Sequence, residues 1–526
     1  MNIRRLLRAV VCAVVVASGA LWQARPGHSQ TRPNIVVILL DDFDAETLEV
    51  AVAKGLAPNI AQYLAGQGYT FTNAFTTTTF GSPARATYLT GQYAHNHGEF
   101  GTDPILGGAP RLNESATVAT WLKTAGYRTG LVGRHLTGYG LFTPATRIPP
   151  GWDSWSALID PTTWSMDKYV LNVNGTLVDV GAAAAASGVE LHQTDILAYL
   201  AGTFIRSAPL YLRPFFLTVT PVVFNRERWP GPTIHNVCPN PADTVFGGNY
   251  WGVAQKPAAR HIDTVTGDVT AFPLPKPPSF NEEDMSDKPL WAQQNPQLTE
   301  TDIDCLQKRY WRKLEALRGV DDLVGHVIGS LQAAGTLNNT MVILTSDAGD
   351  NDGRHRFPEK MLASEQALRV PLYVRMAGGS QPVTIPRLVL ATDLAPTIVH
   401  AASALPTITM DGRSLLPLIQ NPALATWRRI GLIEHALVPP LDTPFASPPT
   451  YLAARTDAAA PRMFVRYPTV TAGVNGELYD LSLDPHQIDN VFTAPARQTE
   501  VARLNAWLNA LRTCKGLVCT LVENTY

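Results

Sequence analysis

The chain has no excess of either charge. Its 42 Lys and Arg stand against 44 Asp and Glu, for a formal net charge of −2 over 526 residues. That balance excludes the broad electropositive face with which proteins hold nucleic acid or an anionic membrane surface. Charged residues are few, 16% against 45% hydrophobic, which excludes a disordered or heavily solvated chain. After the first thirty residues, no apolar run is long enough to cross a bilayer, so no stable membrane span is expected. Cysteine is scarce, five in all, with no C-x-x-C pair and no histidines at matching spacing, which argues against a structural zinc site. Repeats are absent, and the one low-complexity stretch, Ala182 to Ala186, carries no chemistry.

What is present begins at the N-terminus. Arg4, Arg5 and Arg8 precede an apolar run from Ala9 to Leu21, then small residues and a polar stretch, RPGHSQTRP. This is the pattern of a secretory signal peptide over residues 1–30, and it predicts a secreted or periplasmic protein. Cys12 leaves with that segment. The remaining Cys238, Cys305, Cys514 and Cys519 allow up to two disulfides, with CKGLVC the local bridge and Cys238–Cys305 the remainder.

NIVVILL (Asn34 to Leu40) is a continuous, β-branched apolar run and reads as a buried strand of a parallel sheet. RTGLVG, PFFLTVTP, TMVILTSD and VPLYVRM read as further strands, with helical spacing in ESATVATWLKTAGY and along Thr299 to Ala334. The alternation predicts an α/β domain over residues 31–424, a large, mixed but mostly parallel sheet sandwiched by helices. Residues 225–298, rich in proline, tryptophan and asparagine, break the rhythm as a long decorated loop. From residue 425 to 526, short strands and a final helix near Val501 to Leu511 predict a smaller antiparallel sheet with one helix.

Acidic residues end two of the apolar runs: Asp41 and Asp42 after IVVILL, and Asp347 after MVILTS. Ligands gather at the carboxyl ends of strands in open α/β sheets. Adjacent carboxylates need a cation or a shared proton, and a hard divalent cation supplies one. Capping of the following helix is the alternative for Asp41 or Asp42. In FGSPARATYLTGQ, Ser82 precedes a helix beginning near Pro83, and Arg85 lies one turn on, able to grip a tetrahedral anion. By composition alone, Ser82 as a plain N-cap is the alternative.

RPNIVVILLDD, APNIAQYLAGQGYTFTNAF, SPARATYLTGQYAHNHG, LVGRHLTGYG, PKPPSFNEEDMSDKP, LEALRGVDDLVG, ATDLAPTIVHAASALPTITMDGRSLLPLI and GELYDLSLDPHQIDNV follow one another along the chain. In that order they resemble the landmarks of formylglycine-dependent sulfatases, within the alkaline phosphatase-like superfamily, closest to the N-acetylglucosamine-6-sulfatase branch. The third segment resembles the C/S-x-P-x-R signature. The resemblance implies a calcium ion held by Asp41, Asp42, Asp347 and Ser82, and a formylglycine made from Ser82 by a cytoplasmic maturase before export. It implies Arg85 beside the formylglycine, Lys360 on the sulfate oxygens, and Arg134 in the place of a family lysine. The substrate implied is a sulfated sugar, such as an N-acetylglucosamine 6-sulfate unit, or an aryl sulfate.

The chain departs from that pattern at Ala348, Asn351 and Asn225, where the family offers metal-binding or acid groups. Asp350 or Asp352 can stand in for the ligand at Ala348, and His235, His355 or His135 for the missing acid. Two alternative functions follow: a catalytically impaired protein that binds sulfated or acidic glycans, and a phosphate ester hydrolase using unmodified Ser82.

Overall fold

The computed structural model describes residues 32–102, 104–225, 255–266, 269–437 and 445–525. Its strands in chain order are β1 (Asn34–Leu40), β2 (Tyr69–Phe71), β3 (Ala74–Phe75), β4 (Arg128–Gly133), β5 (Ser154–Leu158), β6 (Val170–Val173), β7 (Thr176–Asp179), β8 (Phe215–Thr220), β9 (Thr340–Ser346), β10 (Leu372–Arg375), β11 (Val383–Ile385), β12 (Val389–Leu390), β13 (Ile430–His435), β14 (Tyr451–Thr456), β15 (Arg462–Arg466) and β16 (Gly476–Asp480).

Ten of them form one sheet in the order β11-β2-β10-β9-β1-β8-β4-β5-β6-β7. Its centre is parallel: β1 pairs with β8 and β9, and β4 with β8 and β5. Toward the margins β10, β6 and β7 run antiparallel to their neighbours. β1 shows why an unbroken apolar run is needed at the centre. Val36, Ile38 and Leu40 belong to one core, and Ile35, Val37 and Leu39 to the other. A strand covered on both faces has no polar side to present, and each such side chain contributes about 1.5–3 kcal/mol on burial.

The first face is covered by the helix Glu300–Ala333, whose Leu306, Tyr310, Leu314, Leu317, Val320 and Leu323 all enter that core. A capping box starts it: Asp302 N–H donates to Thr299 Oγ1 at 3.2 Å, and Thr299 N–H to Asp302 Oδ2 at 2.9 Å. The second face is covered by Val118 and Trp121 of Val118–Thr124 and by Ile398 and Val399 of Leu394–Ala402.

The strands β13 to β16 form a separate antiparallel sheet in sequential order. The helix Gln498–Leu511 buries Val501, Leu504, Leu508 and Leu511 against it. A second short helix, Leu517–Asn524, follows; its apolar run is too brief to read from spacing. Cys514 and Cys519 are disulfide-bonded. The pairing involving Cys238, the signal segment and His235 all lie outside the described residues. Where the decorated loop is described, between residues 255 and 298, its helical pieces are the turns Ala259–His261 and Leu290–Gln293.

Candidate functional site

The end of β1 and the end of β9 lie side by side, with Leu40 opposite Ser346. Asp347 N–H donates to Leu40 O at 3.1 Å, and Asp42 N–H returns to Asp347 Oδ1 at 3.0 Å. Phe43 N–H donates to Ser346 Oγ at 2.9 Å. Asp42 turns the chain with φ 57°, a left-handed conformation that Asp tolerates better than most residues. These bonds bring Asp41, Asp42 and Asp347 together, each offering an oxygen within 4.8 Å of the others. Helix capping does not explain the pair: the cap of Ala45–Ala53 is Asp44, which accepts from Thr47 N–H at 2.7 Å.

Three cations interleave with these carboxylates. Arg85 donates from Nη2 to Asp41 Oδ2 at 2.8 Å and from Nε to Asp347 Oδ2 at 2.9 Å. Arg134, just past the end of β4, pairs with Asp41 Oδ2 and lies over the Trp164 ring, 4.6 Å from its centroid. Lys360 meets both oxygens of Asp42, at 2.5 and 2.6 Å. Asn225 Nδ2 joins from beyond β8, donating to Asp41 Oδ1 at 2.9 Å and Asp42 Oδ2 at 3.2 Å.

The electrostatics follow from burial and neighbours. Asp41 is fully buried, which opposes its charge, but Arg134, Arg85 and Lys360 hold its carboxyl far below the usual range. Burial and then Asp41 push Asp347 up to about 6, against the pull of Arg85. Asp42 is raised by burial and by Asp41, against Lys360. Burial works against the charge of Lys360, yet Asp42, Asp41 and Asp347 together hold its pKa above the ordinary value.

The structure thus brings together Asp41, Asp42, Asp347, Arg85, Arg134 and Lys360. Ser82 makes no hydrogen bond to any of them. The helix Gly81–Thr90 has Phe80 at its N-cap, with no side-chain cap bond, so Ser82 is not a cap. Its Oγ is fully buried with no hydrogen-bond partner. The side chain that aims at the cluster is that of residue 81. A Cβ built on Gly81 stands 2.9 Å from Arg134 Nη1 and 3.3 Å from Asp347 Oδ2. Residues 81 and 82, four and three before Arg85, both neighbour it on the helix; it is the close approach of a residue-81 Cβ to Arg134 and Asp347 that singles out that position. The spacing in the sequence carried this signal: counted back from Pro83 and Arg85, C/S-x-P-x-R begins at Gly81.

The proposed stand-ins are engaged elsewhere. His355 Nδ1 is 2.6 Å from Glu282 Oε2, and His135 Nε2 is 2.9 Å from Glu114 Oε1. Asp352 pairs with Lys313 at 3.0 Å, and Lys313 also meets Asp44 at 2.6 Å. Neither Asp350 nor Asp352 joins the metal-capable group, which among the described residues is Asp41, Asp42 and Asp347. Ala348 is buried and Asn351 bonds Glu359 O and Ser364 Oγ. Asn225 and Trp164 are site residues that sequence reasoning did not assign a role there.

The implied groups can be tested on this geometry. Three converging carboxylates fit a hard divalent cation, with Asp41, Asp42 and Asp347 as the holders. A formylglycine made from Ser82 finds no support in this geometry: the Ser82 Oγ bonds none of these groups, and the Cβ that meets them is that of residue 81.

A family model described as Sulfatase matches residues 33–404. The chain is 28% identical to the N-acetylglucosamine-6-sulfatase of Homo sapiens, over 96% of this chain and 89% of the relative. It is 27% identical to an arylsulfatase of Volvox carteri, over 98% and 79%. Among solved structures, one in complex with its substrate D-glucosamine-2-N,6-O-disulfate superposes with a TM-score of 0.64 at 20% identity, covering 91% of this chain and 97% of its own. The fold is that of the alkaline phosphatase-like sulfatases. The domain and the named sulfatases among the relatives support sulfuric ester hydrolase activity.

Proposed function

Because this chain belongs to the sulfatase family, we propose that its cluster is a sulfate-ester site and that its ligands are sulfated sugars, such as N-acetylglucosamine 6-sulfate units. The observation that carries the reading is the interleaving of Asp41, Asp42 and Asp347 with Arg85, Arg134 and Lys360 at the carboxyl ends of β1 and β9.

Three carboxylates and three cations cancel in charge, so the cluster alone attracts no anion strongly. Asp41, Asp42 and Asp347 would hold a calcium ion, which would make the site net positive and would supply Lewis-acid polarisation of the sulfuryl oxygens. Lys360 would offer that ester a compact point charge. Arg85 and Arg134 hold Asp41 and Asp347 in place and present planar cations, which suit a tetrahedral oxyanion group.

We also place the protein outside the cytoplasm. The N-terminal pattern and the Cys514–Cys519 disulfide support export, and among the described residues no helix is long and apolar enough to cross a membrane. The division into a unit ending at residue 424 and a smaller one from 425 is part of the same proposal.

Titration calorimetry with N-acetylglucosamine 6-sulfate, in calcium, tests the reading. One site is expected, lost in Asp42→Ala together with calcium binding. An absence of binding by the native chain, or undiminished calcium binding by Asp42→Ala, overturns it.

A further inference from the structure

We infer that residue 81 is the covalent position of this site and that, because it is glycine, the native chain holds a sulfate ester without a nucleophile of its own. The inference rests on the sulfate-ester reading of the cluster.

Three observations carry it. First, a side chain at residue 81 would begin inside the cluster, 2.9 Å from Arg134 Nη1, 3.2 Å from Nη2 and 3.3 Å from Asp347 Oδ2. Second, nothing in the backbone demands glycine there. Gly81 lies in the first turn of a ten-residue helix and, unlike Gly91 at the same helix's end, does not have a positive φ. What the glycine provides is room. A side chain at 81 requires the Arg134 guanidinium to shift, because real Cβ atoms essentially never come within 3.0 Å of a heavy atom, and the far end of a flexible side chain makes such a shift cheaply. Third, Arg134 Nε is buried with no hydrogen-bond partner. Such a group costs free energy, so this guanidinium is held by its pairing with Asp41 and its bond to Thr137 Oγ1 rather than by full satisfaction.

Residue 81 therefore faces Arg134 and Asp347 directly, and as glycine it offers no covalent group to the cluster. The maturase expected as a partner finds no serine or cysteine at the position that faces the cluster. Ester cleavage by the native chain is left to direct attack by water. One S–O bond forms to water, the S–O bond to the sugar breaks, and a water proton ends on the sugar oxygen.

The test uses the full chain co-expressed with a formylglycine-generating maturase. Peptide mass spectrometry should find no aldehyde in the native chain and an aldehyde at residue 81 in Gly81→Cys/Arg134→Lys. That double variant should hydrolyse 4-nitrophenyl sulfate at least about 100-fold faster than the native chain, in the range of a restored covalent route. An aldehyde at Ser82, a tenfold loss of turnover in Ser82→Ala, or an aldehyde-bearing double variant no faster than the native chain overturns the inference.

A second measurement does not depend on maturation. Gly81→Ala makes the Arg134 guanidinium shift without adding a reactive group, so its affinity for N-acetylglucosamine 6-sulfate should change more than twofold, while Ser82→Ala stays within twofold. Equal affinities in the two variants also overturn the inference. Absence of binding by the native chain is a distinct outcome that defeats the sulfate-ester reading itself.

Discussion

Two clusters of buried charge stand in this molecule, and they are built differently. One joins the small sheet to the large unit. Arg428 donates from Nη1 and Nη2 to Asp393 at 2.5 and 2.8 Å and from Nε to Glu523 at 2.9 Å, and Arg413 and Tyr93 also bond Glu523. Backbone N–H groups complete it: Leu390 and Arg413 each donate to Asp393 at 2.9 Å. The other cluster is the candidate site. There the carboxylates of Asp41 and Asp42 are bonded, among the described residues, by side chains of Arg85, Arg134, Lys360 and Asn225, and Asp347 accepts one backbone N–H, that of Asp42. Carboxylates tied to backbone hold a fold together. Carboxylates held by long, movable cations can exchange those partners for a metal ion and a ligand.

The sharpest way to break this comparison is Arg428→Ala. It leaves Asp393 and Glu523 buried without their main cation, and stability should fall by about 3–5 kcal/mol, read from urea unfolding. A loss below about 1 kcal/mol would put the two clusters in one class. Lys360→Ala makes the opposite demand. Stability should change by no more than about 1 kcal/mol, since Lys360 is partly exposed. Affinity for N-acetylglucosamine 6-sulfate should fall by about 1.5–3 kcal/mol, the usual worth of a hydrogen bond to a charged group. Calcium should bind more tightly, because Asp42 is released. Calorimetry of both ligands checks this, and weaker calcium binding would show that Lys360 supports the carboxylates instead of competing for them.

Much of this was legible in the residues. The β-branched run of β1 marks a strand buried on both faces, and Asp41, Asp42 and Asp347 follow directly from where two such runs stop. Arg85 and Lys360 were expected on resemblance, and both bond the three carboxylates: Arg85 to Asp41 and Asp347, Lys360 to Asp42. Other features are set by tertiary packing and leave little trace in one segment. Nothing local distinguishes the antiparallel β10 from a parallel neighbour, because both are short buried apolar runs. His355 is close to Asp347 in sequence, but the chain between them turns it toward Glu282. Ser82 misled for a different reason. A hydroxyl beside a proline and near an arginine has the right chemistry, but tertiary packing decides position, and it is a residue-81 Cβ that stands against Arg134 and Asp347.

The smallest expected effect is therefore at the residue that looked most reactive. Ser82 Oγ is buried and makes no hydrogen bond, so Ser82→Ala removes an unsatisfied polar group and leaves little space behind. Stability should be unchanged or higher by up to about 1 kcal/mol, since an unpaired buried hydroxyl costs on that order. Both clusters should be untouched: calcium binding in the site should match the native chain, and the unfolding midpoint should not fall below it. If Ser82→Ala instead weakens calcium binding by tenfold or more, the hydroxyl belongs to the exchangeable cluster. The division between its movable partners and the backbone-tied carboxylate of Asp393 would then need to include a neutral ligand on the helix Gly81–Thr90.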